Sequence, residues 1–427
     1  MESITVPGFP RSQTPCRASG KESAMSQAPT ITTQQQVFFA ISFFASPGGH
    51  IGPDLEERVY QAILTRLTNA APTIGQWNVV WGPSVVQFAS AWYAINTMYV
   101  AQSAAEPAQY VIAIAGTNPS SAFDWLVEDL LVRVQVPWVY ALSSAPAAKI
   151  ALGTAAGLTI LQNMKPSGTR PGAGTSLTDW LQTITGAGAP LRLMVTGHSL
   201  GGALSPTLAL WLADTQGIPG LWDPLRRATI ATMPTAGPTA GNSAFAAYSD
   251  QKLGDRVARF NNSLDVVPHA WNLTTLAAIP ALYEPEIPVS ELVNSLVEKA
   301  RQAAQNGDYT PIQASAPDLP GQVDSTLIKS PLAFVNFLMQ AGYQHVNAYY
   351  PWFHFDPNWW SGDSRPDTVF EAVATAVRPA LEKAHVVARR VPIGLELVDA
   401  PVSAQDPRTQ DIVQRLTAEL RKHGAPA

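Results

Sequence analysis

The sequence predicts an α/β architecture: a mostly parallel sheet with helices on both faces, plus an inserted helical segment. Short apolar runs alternate with stretches of helical period, the arrangement that buries a parallel sheet between helical layers. One run, Leu191 to Thr196, passes directly into a helix-like stretch through Gly197-His198-Ser199-Leu200-Gly201-Gly202. Three polar residues, Thr117, Ser199 and Asp265, fall just past the carboxyl ends of strand-like runs. That is where sheets of this kind place their sites.

Serine at the corner of Gly-x-Ser-x-Gly, between a strand and a helix, is the pattern of a nucleophile elbow. Ordinary glycine usage produces about 0.1 accidental matches in a chain of this length. The flanking strand, the following helix and Gly202 make accident a poor account. Backbones pass so close at such a corner that a β-carbon at Gly197 or Gly201 would clash. The serine is held in a sparsely allowed backbone region, at a cost of roughly 1–3 kcal/mol, and its hydroxyl is pushed out where a histidine can reach it.

Residues 1–36 are rich in Ser, Thr, Gln and Pro and read as a disordered tail. Val37 to Ala45 is apolar, but Met25 to Gln36 holds no Lys or Arg. It therefore reads as a buried element closed by Pro47-Gly48-Gly49 and not as a secretory signal. Leu55, Val59, Ile63 and Leu67 recur at helical spacing and predict a helix over Asp54 to Leu67. Trp77 to Ala101 is strand material broken at Gly82-Pro83. Tyr110 to Ala115 is a short apolar strand of the kind buried on both faces, ending at Gly116-Thr117.

Ser121-Ala122-Phe123-Asp124 has capping-box form. Phe123, Leu126, Val127, Leu130 and Leu131 then share one face of a helix, which can be a fixed core helix or a mobile lid. Lys149 to Met164 and Ser176 to Ile184 are further helices, separated by the Gly/Pro-rich Pro166 to Gly174. After the elbow helix, Ala203 to Ala213, come a strand at Ala228 to Met233 and a short helix at Asn242 to Tyr248. Arg256 to Asn261 alternates and leads to Asp265.

Residues 272–342 hold no core strand and read as an insertion. It carries one helix over Ser290 to Asn306 and another opened by Ser330-Pro331 and closed by Gly342. Thr368 to Val387 and Thr409 to His423 form a C-terminal helical extension. The expected division is thus a tail over 1–36 and one domain over 37–427 that contains the insertion 272–342.

Charged residues are only 14% of the chain, against about 25% in ordinary domains. A net charge of −5 gives no reason to expect nucleic acid or an anionic membrane as a partner. The single cysteine, Cys16, allows no disulfide within the chain. No apolar run is long enough to span a bilayer. Zinc motifs, P-loops and dinucleotide fingerprints are missing, so neither a metal nor a cofactor is expected. Composition leaves localisation open.

Acyl transfer by serine needs a base to take its proton, an acid to hold that base, and donors for the oxyanion. In the order serine, acid, histidine, Asp265 of Asn262-Ser263-Leu264-Asp265-Val266-Val267-Pro268 supplies the acid. Of seven histidines, that order removes His50 and His198. His198, held inside the elbow, cannot turn its ring onto the Ser199 hydroxyl and reads as a packing or supporting residue. His269 is too close to Asp265, His385 falls inside a helix, and His423 lies near the chain end. Two remain: His345, on a loop just past the Gly342 stop, and His354, in the aromatic stretch Trp352 to Asp356.

Gly197 to Gly202, Ala236-Gly237-Pro238-Thr239-Ala240-Gly241-Asn242 with Phe245, Asp265-Val266-Val267-Pro268, and Gly116-Thr117 followed by Asp124-Trp125-Leu126 together resemble the class 3 (fungal-type) lipase family. The resemblance runs through residues 50–355 and is most specific from Leu191 to Pro268. The chain departs from the family at Ala115, where an arginine is common, and in the insertion. The resemblance implies an α/β-hydrolase domain that cleaves carboxylic esters, most of all acylglycerols, without a cofactor. It implies Ser199 as nucleophile, Asp265 as orienting acid and Thr117 and Leu200 as oxyanion donors. His345 becomes the base, because His345-Val346-Asn347-Ala348-Tyr349 is similar to the family's histidine followed four residues on by tyrosine. A lid over Phe123 to Leu131 would turn Phe123, Leu126 and Leu130 to lipid. The other readings are a phospholipase or short-chain carboxylesterase, an acyltransferase, and a catalytically silent binding protein of the same fold.

Overall fold

A computed structural model describes residues 29–46, 54–86, 96–116, 130–356, 386–391 and 394–399. Five strands form the central sheet: β1 (Trp77–Val86), β2 (Asn96–Ser103), β3 (Gln109–Ile114), β6 (Leu191–His198) and β7 (Ala228–Thr235), side by side in that order. The three parallel strands β3, β6 and β7 are the ones separated by helices in sequence. β1, β2 and β3 are antiparallel neighbours, so the sheet is mixed, with β2 the strand that runs against the other four. No helical period lies between Trp77 and Ile114, and a strand that returns without a crossover must pair antiparallel. β1 also runs through Gly82-Pro83 without ending there. The ladder slips at this point and Gly82 takes φ +84°, so a proline without an N–H is accommodated at an irregularity.

Alternate side chains of the strands feed two cores. Val111 and Ala113 of β3 pack with Phe39, Ile41 and Phe44 of helix α1 (Thr33–Phe44) and with Leu55, Val59, Ile63 and Leu67 of α2 (Leu55–Ile74). Ile112 and Ile114, with Leu193 and Val195 of β6, face α4 (Leu152–Asn163), α5 (Leu177–Gly186), α6 (Leu200–Thr215) and α7 (Ser243–Leu253). This is an α/β-hydrolase fold with helices on both faces. α6 is buried on nearly all sides, as a helix apolar all round must be. α1 starts within the segment expected as tail, at Thr33. A capping box explains it: the Thr32 hydroxyl accepts from Gln35 N (3.2 Å) while Gln35 Oε1 accepts from Thr32 N (2.8 Å). Pro47 to Gly49 lie outside the described residues.

Between β3 and α4 come the short helix α3 (Leu130–Arg133) and a small ladder of β4 (Gln135–Pro137) with β5 (Lys149–Ala151). The helix expected from Lys149 therefore begins only at Leu152; Ala151 N donates instead to Ala240 O. Arg256 to Asn261 joins β7 through single bridges, Thr232 to Val257 and Thr235 to Phe260, and so is carried parallel to it toward Asp265.

Residues 272–342 contain no strand. α8 (Leu273–Ala278), α9 (Glu291–Ala304) and α10 (Ala333–His345) share a core with Val266, Val267, Ala270 and Trp271 of the loop after Asp265. Gly342 does not close α10. Glycine in a helix costs only about 1 kcal/mol, and buried bonds of Gln344 to Asn262 Nδ2 (2.7 Å) and Gln322 O (2.6 Å) hold the next turn. Nor does Ser330-Pro331 open it. The helix starts at Ala333, and Ser330 is tied to Asn336 through both its N–H (2.9 Å) and its carbonyl (2.8 Å). Near the chain end, β8 (Val386–Val391) and β9 (Gly394–Asp399) form a hairpin. Val386 and Val387 are thus strand rather than the end of a helix, consistent with their β-branched side chains. The rest of that expected helix and Thr409 to His423 lie outside the described residues. No described helix is long and apolar enough to cross a membrane.

Candidate active site

Ser199 sits between β6 and α6 with φ +62° and ψ −124°, a conformation that non-glycine residues hold only when the surroundings enforce it. Three contacts do so. A β-carbon on Gly197 would run into the backbone of Gly201, one on Gly201 into Ile114 O, and one on Gly202 into Thr235 O. The elbow is pressed against β3 and β7 so tightly that only glycine fits. Ser199 N donates to Thr235 O (3.1 Å), and Gly202 N donates back to Ser199 O (2.7 Å).

His345, the last residue of α10, brings its Nε2 to 2.8 Å from Ser199 Oγ, while its Nδ1 lies 3.0 Å from both carboxylate oxygens of Asp265. Nδ1–H donates to the carboxylate, so the lone pair on Nε2 is free to accept from the serine hydroxyl. All three side chains are buried. Asp265 Oδ1 also accepts Val267 N–H (3.0 Å), and Oδ2 accepts the hydroxyl of Tyr349 (2.9 Å). That hydroxyl in turn accepts Asn262 N–H (2.8 Å). Burial first, then the negative charge of Asp265, pushes the Tyr349 phenol well above its ordinary value, so it remains a donor.

His345 reaches the site from a helix end, not from a loop. The runner-up, His354, is exposed and its carbonyl accepts Gln36 Nε2 (3.3 Å); it touches neither Ser199 nor Asp265. His269 lies beside Asp265 but turns Nδ1–H back onto the Asp265 carbonyl (2.8 Å). His50, His385 and His423 lie outside the described residues. His198 keeps its ring off the serine hydroxyl, and Nε2–H donates instead to the carbonyl of His345 (2.7 Å). Burial, with His345 as the second cause, holds its imidazole well below 6.5, hence neutral.

Leu200 is the first residue of α6, and the first N–H groups of a helix have no intrahelical partner. Thr117 lies outside the described residues, as do Phe123 and Leu126. Gly116 is described, and a β-carbon there would lie 3.0 Å from Ser199 Cβ, so the end of β3 closes directly on Ser199. Leu130 opens α3. No group of His, Cys, Asp and Glu suited to a metal ion occurs among the described residues. The bonds of Tyr349 to Asp265 and of His198 to His345 were not readable from sequence. Tyr349 stood in the His-x-x-x-Tyr pattern, but nothing local says where its hydroxyl goes.

The class 3 lipase family matches over residues 111–275. A solved structure, M37 lipase, is 34% identical with a TM-score of 0.68, covering 82% of this chain and all of its own. The chain belongs to the class 3 lipase family. Members of this family hydrolyse lipid esters, and this class 3 lipase is accordingly a carboxylic ester hydrolase. More distant matches include lipase II from Rhizopus niveus (17% identity, 58% of this chain, 79% of that one, TM-score 0.39). Another is a triacylglycerol lipase from Penicillium expansum (18% identity, 48% of this chain, 69% of that one, TM-score 0.33). A comparison with curated proteins finds no match.

Proposed function

We propose that this class 3 lipase cleaves acylglycerol esters through an acyl-enzyme on Ser199, with His345 as general base and Asp265 as orienting acid. The observation that carries this reading is the unbroken chain from Ser199 Oγ through the His345 ring to the Asp265 carboxylate. Ser199 Oγ attacks the ester carbonyl carbon as its proton passes to His345 Nε2. The resulting oxyanion takes hydrogen bonds from the N–H groups of Leu200 and Thr117, each worth about 3–4 kcal/mol of transition-state stabilisation. His345 then returns the proton to the departing alcohol, and a water activated by the same ring releases the acid. Asp265, fixed by Val267 N–H and the Tyr349 hydroxyl, stabilises the imidazolium that forms in between.

A phosphonate probe should label Ser199 once, and Ser199→Ala should abolish both labelling and turnover. His345→Ala should lower kcat by at least about a thousandfold and slow labelling, while His354→Ala keeps most activity. Labelling at another residue, or the reverse pattern for the two histidines, would overturn the assignment. A series of nitrophenyl esters from acetate to palmitate, run below and above the solubility limit, separates lipase from short-chain esterase.

In this reading Phe123, Leu126 and Leu130 belong to the lid that the family resemblance implies and meet lipid. Leu126→Ser or Leu130→Ser should then reduce activity on emulsions far more than on soluble short esters. Equal losses on both, with lower thermal stability, indicate a fixed core helix instead. The catalytic unit in this reading includes 272–342, because α10, which begins in that segment, carries the base at its end.

A further inference from the structure

The chemistry above uses one buried imidazole and leaves a second, His198, unused beside it. We propose that His198 is a positioning residue for the general base: its Nε2–H holds the carbonyl of His345, and with it the end of α10, so that the His345 ring stays on Ser199. The last carbonyls of a helix have no partner within it, and α10 ends at His345. His198 Nε2 lies 2.7 Å from that carbonyl. A carbonyl only accepts, so Nε2 carries the proton, and the interaction caps the helix from outside.

The anchor is itself rigid. His198 is the last residue of β6 and directly precedes the nucleophile, so base and nucleophile are referred to one point of the sheet. Its ring is clamped between Phe43 of α1 (centroids 4.6 Å apart) and His345 (4.7 Å), with Tyr349 edge-on at 5.6 Å. When His345 gains the serine proton, a charged neighbour at this distance would oppose it. The burial that keeps His198 neutral removes that opposition.

This deepens the reading of His345 as base and rests on it; labelling of Ser199 in His345→Ala tests that reading alone. For His198, the test compares His198→Phe, which fills the space without a donor, with His198→Gln, whose amide can reach the same carbonyl. On a soluble ester, His198→Phe should lower kcat about tenfold to a hundredfold, the cost of displacing a reacting group by about 1 Å, with KM little changed. The proton resonance of the His345 Nδ1–H bond to Asp265 should broaden in the same variant, and His198→Gln should restore most of kcat. Wild-type kcat in His198→Phe, or equal losses in both variants with the His345 resonance intact, overturns the proposal. If His198→Phe does not fold, nitrogen-labelled wild-type enzyme still decides. A slowly exchanging proton on His198 Nε2, coupled to the His345 carbonyl, is expected; a proton on Nδ1 alone overturns it.

Discussion

His198 also shapes how stability responds to acid. Its folded-state pKa lies below the ordinary 6.5 because the imidazole is buried, whereas the unfolded chain protonates it near that value. Between the two values the unfolded state binds the extra proton, so stability declines as pH falls below about 6.5 and is full above it. In melting curves taken from pH 8 to pH 5, His198→Phe should lose less on acidification than wild type. Parallel curves would show that His198 titrates alike in both states. Tyr349 offers a second test at this scale. Tyr349→Phe removes a hydrogen bond to a buried carboxylate, typically about 1.5–3 kcal/mol. It should therefore lower Tm and slow phosphonate labelling of Ser199; an unchanged labelling rate would mean that Val267 N–H alone suffices for Asp265.

At the scale of elements, the elbow is where steric demand is greatest. Gly201→Ala sets a methyl against Ile114 O, and since a backbone atom cannot yield as a flexible side chain can, loss of soluble protein or of activity is expected in expression and ester assays. Full activity in Gly201→Ala would mean that the strand and helix can part. The elbow was legible because its requirements are local: strand, corner and helix occupy consecutive residues, and close approach demands glycine. Elements decided by remote partners were less so. The antiparallel pairing of β1 and β2 depends on what is missing between them, and α1 hid behind a polar start whose Thr32–Gln35 box only makes sense once a helix follows. Gly342 misled for a similar reason: the bonds that carry α10 past it come from Asn262 and Gln322, far away in the chain.

For the whole molecule, residues 272–342 and the site form one structure. Tyr283 of the insertion packs on Phe337 of α10 and donates to Leu264 O (3.0 Å), the residue next to Asp265. Phe337→Ala should cost about 3–5 kcal/mol, and ester hydrolysis should fall off on heating together with the helical signal. Activity that outlasts the loss of helix in a paired thermal scan would show the insertion to be independent. Chain order and local context narrowed the histidines to His345 and His354, and the likeness of the stretch from His345 to Tyr349 to the family pattern chose between them. The reason His345 stands where it does was not legible, since it lies in the packing of a segment with no strand to orient it.

Because His345 is the final residue of a helix, α10 acts as a ruler. Each helical residue advances the chain by about 1.5 Å and turns it by about 100°. Removing one residue between Asn336 and Gln344 would point the imidazole away from Ser199 although every side chain of the site remained in the sequence. Length within α10 is therefore fixed, a restriction on insertions and deletions that no single substitution would reveal.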